Sequence, residues 1–573
     1  MLQRTRLFLW QHGGRCKSTQ LQATASSSSS TTTTVAGGGG QQVDSSFGGS
    51  SSSSSSPPSA PPLASNSNRE RLVILGSGWG GYPFLKALDT RKYQAILVSP
   101  RNHFLFTPLL ANAAVGGSDI ASICQPVRTL CADKGARFYE GKAIKLDKEN
   151  KLLTCKTLDG RKYPLKYDKL IISVGFQAND FGMKQLSDYA FFMKETADAR
   201  RVHDHIMQCF EDAATLHAQE PGEGASPEEV GDYENMLRRR LSFVTVGGGP
   251  TGTEFCAELA NFVKEDVIKL YPYLAKYWSV HLVEAGDSIL RPFNDEKLQK
   301  YGYEHLTTQA KVQVHLNSGV EDIMPDQLFL KTGQVLDFST LVWCAGIKPL
   351  PFVAKLDLAK NEKGSQLLTD GSCKVKGEDS IYAIGDCAAI EGYSLPQTAQ
   401  IAAQQAYHLA QELNFMKVDA PEMKPFRHVD KGTLAYVGGT NALYRSPSKF
   451  LPNLTGKIGY FTWRSAYWSM QLSMRNRMLL AADWSKRLVF GRDLTRLGEA
   501  SAPKHTDDAE PGPTRGLFAN DHRELKGMGG GGGGGAPSRR QNNRAAEQEV
   551  QVEVVPAGSR EDAQKHRVAE ATA

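Results

Sequence analysis

Nowhere in this 573-residue chain do two cysteines form a C-x-x-C pair. The nine cysteines stand apart at positions 16, 124, 131, 155, 209, 256, 344, 373 and 387. That excludes a zinc ribbon or a vicinal dithiol, and the odd, scattered set fits free thiols in a reducing compartment. No run of 18 apolar residues exists, so no membrane-spanning helix is expected. No D-x-D-x-D-G loop is present, and neither calcium nor any other metal is expected. Acid is missing from the start: the first acidic residue is Asp44, whereas Arg4, Arg6, Arg15 and Lys17 lie among Leu2, Leu7, Phe8, Leu9 and Trp10. This basic, acid-free pattern predicts a mitochondrial targeting segment over residues 1–20, its apolar run being too short for a secretory signal. Residues 21–70 are mostly Ser, Thr, Gly and Pro, cannot bury enough apolar surface to offset chain entropy, and read as a disordered leader. A formal charge of +6 is too small to argue for nucleic acid.

What the chain does have is a pair of glycine fingerprints. Arg71-Leu-Val-Ile-Leu75 runs into Gly76-Ser-Gly78-Trp-Gly-Gly81, and Ser242-Phe-Val-Thr-Val246 into Gly247-Gly-Gly249-Pro-Thr-Gly252. In each, an apolar strand enters G-x-G-x-x-G and then a helix: one glycine for the turn, one for approach to a pyrophosphate, one for helix–strand packing. Two in one chain predict two dinucleotides, FAD on the first and a nicotinamide on the second. Further strands are expected at Ala95–Val98, Tyr167–Val174 (ending at Gly175), Val280–Val283, Thr340–Ala345 (ending at Gly346) and Ser380–Ile384. A helix is expected from Glu195 to Phe210, a loop from Gln219 to Asp232, and a lengthened helix from Phe262 to Trp278. The alternation predicts an α/β fold with two Rossmann-like dinucleotide-binding domains built on parallel sheets. The expected FAD-binding domain comprises residues 71–195 and 371–425, with the nicotinamide domain at 196–370 between them.

Glu284 closes the second strand of the second unit, where a carboxylate accepts hydrogen bonds from a ribose and repels a 2′-phosphate, so NADH is expected over NADPH. The first unit has Val98-Ser99-Pro100-Arg101 at that place, so Ser99 is the candidate for the FAD ribose. Asp386, following strand and Gly385, is the candidate for the flavin's ribityl or pyrophosphate side.

These residues resemble the type II NADH dehydrogenases, the alternative, rotenone-insensitive NADH:quinone oxidoreductases. The resemblance covers roughly Arg71 to Leu497. It rests on Ser99-Pro-Arg-Asn-His-Phe-Leu-Phe-Thr-Pro-Leu109-Leu110, Val246-Gly-Gly-Gly-Pro-Thr-Gly-Thr-Glu254, Ala383-Ile-Gly-Asp386, Pro396-Gln-Thr-Ala399-Gln-Ile-Ala-Ala-Gln-Gln405, Gly432-Thr-Leu-Ala-Tyr-Val-Gly438 and Trp463-Arg-Ser-Ala-Tyr-Trp-Ser-Met470. It implies a non-covalent FAD contacted by Thr107, Pro108 and Ala399, and a quinone site beside the flavin where Gln400 and Gln404 share one helix face and offer amide N–H groups. It places Glu254 near nicotinamide and flavin, although on position alone that residue could merely charge a first helical turn. Gln405 departs from the acid common in relatives. Trp463 and Tyr467 would line the quinone entrance.

From Tyr460 onward, Trp463, Tyr467, Met470, Met474, Met478, Ala481, Trp484 and Leu488 recur at helical steps, amid Arg464, Arg475, Arg477, Lys486, Arg487, Arg492 and Arg496. Residues 426–498, and 458–498 in particular, are therefore expected to bind anionic inner-membrane lipid as a peripheral foot; a core-packing or homodimer surface is the rival reading. Residues 499–573, with glycines 529–535, read as a disordered tail. The expected activity is non-electrogenic oxidation of NADH by FAD with reduction of ubiquinone at the inner mitochondrial membrane. Rivals are a sulfide:quinone or disulfide reductase, which would need cysteines poised at the flavin, and an apoptosis-inducing-factor-like binding flavoprotein.

Overall fold

A computed structural model describes residues 69–415, 424–448 and 450–496. The expected targeting segment, nearly all of the leader and the expected tail lie outside the described residues. Two five-stranded parallel sheets carry the fold. The first runs Ile381–Ala383, Lys169–Ile172, Glu70–Leu75, Tyr93–Ser99, Arg137–Glu140. The second runs Ala190–Phe192, Thr340–Trp343, Ser242–Val246, Ser279–Val283, Gln313–His315. Leu72, Val73, Ile74, Val244 and Leu341 are wholly buried. Such strands are covered on both faces, which is why they read as unbroken apolar runs rather than alternating ones. The strand Ile381–Ala383, far along the chain, joins the edge of the first sheet, so the second sheet is inserted within the first unit.

Two loops tie the sheets together. The chain leaves the first sheet at Gly175 and the second at Gly346, and Phe176–Ala178 then pairs antiparallel with Ile347–Pro349. The helix Ala399–Phe415 is held on the first unit by Asn414 Nδ2 donating to the Ala87 carbonyl (2.9 Å) and Tyr93 Oη donating to the Leu413 carbonyl (2.8 Å). A hairpin of Thr433–Gly438 and Asn441–Arg445 follows, then helices Gly456–Ser469 and Met474–Phe490.

Several local expectations are corrected. The helix beginning at Thr196 runs on to His217. Half of the expected 219–232 loop is helical, because Ser226-Pro227-Glu228-Glu229 forms a capping box with Pro at the first helical position and starts the helix Pro227–Arg240. The lengthened helix expected from Phe262 to Trp278 is present only in part: the helix that starts at Pro250 continues through a π turn (Val263–Val267) and one further turn (Ile268–Leu270), stops at the Tyr271-Pro272 break, and is followed by a 3₁₀ turn (Pro272–Leu274).

The C-terminal stripe is also divided. Trp463 and Tyr467 are buried and Tyr460 and Trp484 pack against the core, whereas Met470, Met474, Met478 and Leu488 are exposed. The exposed face is completed by Ile458, Phe461, Trp468, Val489 and Phe490. Arg492, expected among the outward basic residues, is fully buried and pairs with Glu258 (3.0 Å) and Asp266 (3.0 Å). Because charged groups leave water only with partners, this pair is a structural clasp, and removing one member of such a pair costs about 3–5 kcal/mol.

Candidate functional site

The first glycine turn is built from close contacts. Gly76 has φ +102°, and a Cβ there would lie 2.6 Å from the Ser173 carbonyl oxygen; a Cβ on Gly81 would overlap the Gly76 carbonyl. Ser99 is buried, its hydroxyl 2.9 Å from that of Ser77 and accepting from Arg101 N–H at 3.1 Å. Two of its three hydrogen-bonding positions are thus used in shaping the turn. The Arg101 guanidinium instead reaches over Gly78, 3.5 Å from where a Cβ would stand, and is held by both oxygens of Glu195 (3.1 and 3.3 Å). The sequence motif contained Arg101, but only the fold shows its aim. Thr107 Oγ1 accepts from Trp79 Nε1 at 3.0 Å, and Thr107-Pro108 opens a short 3₁₀ turn on the same side.

The second turn repeats this backbone: Gly247 has φ +112°, and a Cβ on Gly252 would overlap the Gly247 carbonyl. Gly249 faces open space. Glu284 takes Gly248 N–H on one oxygen (2.6 Å) and Gly286 N–H on the other (2.7 Å). The carboxylate therefore closes the turn and fixes negative charge at the strand end, the position from which a ribose is held.

Gly385 and Asp386 sit between the sheets. Burial pushes the Asp386 carboxyl above the usual range, while the Lys194 ammonium and Phe176 N–H pull it down. A cavity of about 580 Å³ opens here, lined by Gly385, Asp386, Gln397, Thr398 and Gln405 among others. Gln405 is buried, and its Oε1 accepts Gly385 N–H at 2.7 Å, which pins the turn that presents Asp386. Lys194 and Gln405 were missed by sequence reasoning: the first lacks any local signal, and the second was marked only as a departure from family pattern. A half-buried carboxylate, a cation beside it and a glycine cradle suit a polyhydroxyl, diphosphate-bearing cofactor such as FAD.

Gln400 and Gln404 share a face of the helix Ala399–Phe415, but their amides already have partners. Gln400 Oε1 accepts from Lys431 N–H (2.9 Å) and His428 Nε2 (3.1 Å), and its Nε2 donates to the Gly432 carbonyl (3.3 Å). Gln404 makes a two-way bond with the Val429 backbone, 2.9 Å each way. Each –NH₂ has one further N–H to offer. The pair thus straps residues 428–432 to the helix, a job the sequence did not reveal.

Glu254 is the fifth residue of the helix Pro250–Phe262 and lies inside the molecule, so the first-turn alternative falls. Its Oε1 accepts Tyr436 N–H at 3.0 Å. Burial raises its pKa to about 8, opposed by the Tyr436 N–H, raised further by Glu258, and opposed also by the Trp463 indole, which faces it without a formed hydrogen bond. Trp463 and Tyr467 have ring centroids 4.9 Å apart, Tyr436 stands 5.5 Å from Trp463, and Phe106 meets Tyr467 edge-on at 5.8 Å. Glu254, Trp463 and Tyr467, distant in sequence, therefore share one buried aromatic cluster, with the residue preceding Thr107 at its edge. All eight described cysteines are free. Burial raises the Cys256 and Cys387 thiols to about 12 and Cys344 higher still, so none is a thiolate poised for sulfur chemistry. Among the described residues no cluster of metal-binding side chains occurs.

Comparison with known proteins agrees with this geometry. Residues 70–406 match the pyridine nucleotide-disulphide oxidoreductase model, and residues 431–493 the NDH2 C-terminal domain model. A probable NADH dehydrogenase of Dictyostelium discoideum is 36% identical, over 74% of this chain and 91% of the relative. The external NADH-ubiquinone oxidoreductase 2, mitochondrial, of Saccharomyces cerevisiae is 33% identical, over 75% and 83%. The internal alternative NAD(P)H-ubiquinone oxidoreductase A1, mitochondrial, of Arabidopsis thaliana is 33% identical, over 75% and 86%. Among solved structures, NDH2 from Plasmodium falciparum in complex with NADH superimposes with a TM-score of 0.68 at 24% identity, covering 75% of this chain and all of that one, a likeness of fold.

Proposed function

The chain belongs to the type II NADH dehydrogenase (NDH2) family, and from that premise we propose that it oxidises NADH and reduces a ubiquinone-like acceptor with FAD as its cofactor. The observation that carries the reading is the ribbon of Phe176–Ala178 and Ile347–Pro349, which draws the two sheets' strand ends together so that two dinucleotides would meet. FAD, when bound, supplies the two-electron chemistry between the nicotinamide and the quinone. Asp386, presented by Gln405, would hold its ribityl or pyrophosphate side, with Arg101 over the first glycine turn. Glu284 would accept the NADH ribose hydroxyls and reject a 2′-phosphate. Glu254 would hold a proton at neutral pH beside Trp463 and Tyr467, the side from which a quinone would approach, and the spare N–H groups of Gln400 and Gln404 would steady a quinone oxygen as negative charge develops.

No helix among the described residues is long and apolar enough to cross a membrane; the proposed electron transfer is non-electrogenic, as in the family it resembles. The exposed face of Ile458, Phe461, Trp468, Met470, Met474, Met478, Leu488, Val489 and Phe490, with Lys457, Arg475 and Lys486 exposed around it, fits a lipid surface bearing anionic headgroups. With mitochondrial relatives and a basic, acid-free start, the inner mitochondrial membrane is the proposed location. An anaerobic titration of the purified yellow protein tests the reading: NADH should bleach the flavin and a short-tailed ubiquinone should restore it. A flavin that NADH does not bleach overturns it.

A further inference from the structure

Phe181 is a large apolar side chain left 60% exposed, on a residue with φ +49°. A left-handed backbone at an aromatic residue costs of order 1–3 kcal/mol and persists only when its surroundings impose it. They do so here. Phe181 N–H donates to Asn179 Oδ1 (3.0 Å), the Asn179 carbonyl accepts Trp343 Nε1 (2.9 Å), and Asp180 pairs with Lys348 at 2.6 Å. The ring meets Trp343 edge-on at 6.3 Å. It also lies on Gly346, where a Cβ would come within 2.8 Å of Cε2 and where φ is +67°, so a side chain there would be strained and would push the ring aside.

The position of that ring is informative. In the second sheet the strands ending at Glu284, Gly247 and Gly346 are consecutive neighbours, spaced about 4.8 Å apart. A dinucleotide whose adenosine ribose is at Glu284 and whose pyrophosphate is over Gly247–Gly252 must carry its nicotinamide half across the third strand end, at Gly346. Resting on the NADH reading above, we propose that Phe181 is a positioning residue, a fixed aromatic plate against which the nicotinamide half of NADH packs. The loop spends backbone strain to keep the ring at the cleft mouth. Its tether is the ribbon that also leads to the flavin side, so the plate's place is tied to both sheets.

The test uses the full-length flavoprotein and two probes, NADH and ADP-ribose, which lacks the nicotinamide ring. Phe181→Ala should weaken NADH binding about tenfold, within what an aromatic contact contributes. It should leave ADP-ribose affinity, flavin content and reoxidation by quinone unchanged, and Phe181→Trp should restore most of the NADH affinity. Equal NADH affinity in wild type and Phe181→Ala, or tighter binding by the variant, overturns the proposal. So does an equal loss for both probes, which marks a collapsed loop. If wild-type protein binds no NADH at all, the parent reading falls and takes this one with it.

Discussion

The two glycine turns have nearly the same backbone and opposite electrostatics. At the first, Ser99 is bonded to Ser77 and the Arg101 backbone, and a guanidinium lies over the second glycine. At the second, a carboxylate with both oxygens occupied by backbone N–H closes the strand end. Two residues beyond the third glycine, the first helix has Pro83 and the second has Glu254. On the proposed reading the glycines fit a pyrophosphate, and the neighbouring charges would set which nucleotide it belongs to and whether it stays. A cationic cover suits an anionic cofactor that is retained, and a bare turn with an acid beside it suits one that comes and goes.

The sharpest way to break this comparison is to block each turn separately. Gly252→Val should abolish flavin reduction by NADH, by about 100-fold or more, yet leave the protein yellow. Gly81→Val should leave it colourless. Flavin-to-protein absorbance and stopped-flow reduction give both answers, and a Gly252→Val protein without flavin would show that the turns are not independent.

The next effect belongs to Glu284. Glu284→Ser should narrow the preference in kcat/KM for NADH over NADPH by about tenfold or more, or ~1.4 kcal/mol. Equal use of both nucleotides by the wild-type enzyme would remove the acid's assigned role. Glu254 tests the contrast in the helices by pH. Its carboxyl pKa is about 8 in the fold and about 4.3 unfolded. The folded state therefore holds more protons in that window, and stability falls as pH rises from about 4.5 to 8. Glu254→Gln should abolish that slope, so urea midpoints at pH 5.5 and pH 8 should differ less for the variant than for wild type; equal slopes contradict a buried, proton-holding Glu254. The smallest effects concern the first turn. Arg101→Met should weaken flavin retention by about tenfold, as loss of a charge-assisted contact does, and Ser99→Ala by less. A reversed order would return the ribose to Ser99.

The strands around both fingerprints were legible in the sequence because their signals are local: apolar runs, then glycines at fixed offsets. Helix ends were less so, and the capping box at Ser226 was legible in principle but masked by surrounding Gly, Pro and acid. What could not be read was pairing across long separations. Gln405 reaches back to Gly385, Gln400 and Gln404 forward to residues 428–432, and Lys194 lies beside Asp386 only because a strand from position 381 completes the first sheet. The C-terminal pattern erred for a related reason. Helical periodicity finds apolar faces but does not say which one meets the core, and the same steps linked buried Trp463 with exposed Met478.

The Arg492 clasp bears on the order of events in the birth of the molecule. Glu258 and Asp266 belong to the second unit, and their counter-charge is supplied from a position more than two hundred residues later. Until that arginine arrives, Glu258 has the Asn112 amide (2.8 Å) but no countercharge, so the helix carrying Glu254 lacks part of what holds it in its seat. The nucleotide unit is therefore not finished when its own sequence has been made. Its last ion pair is made by Arg492, so that seal forms only after the C-terminal helices have been made.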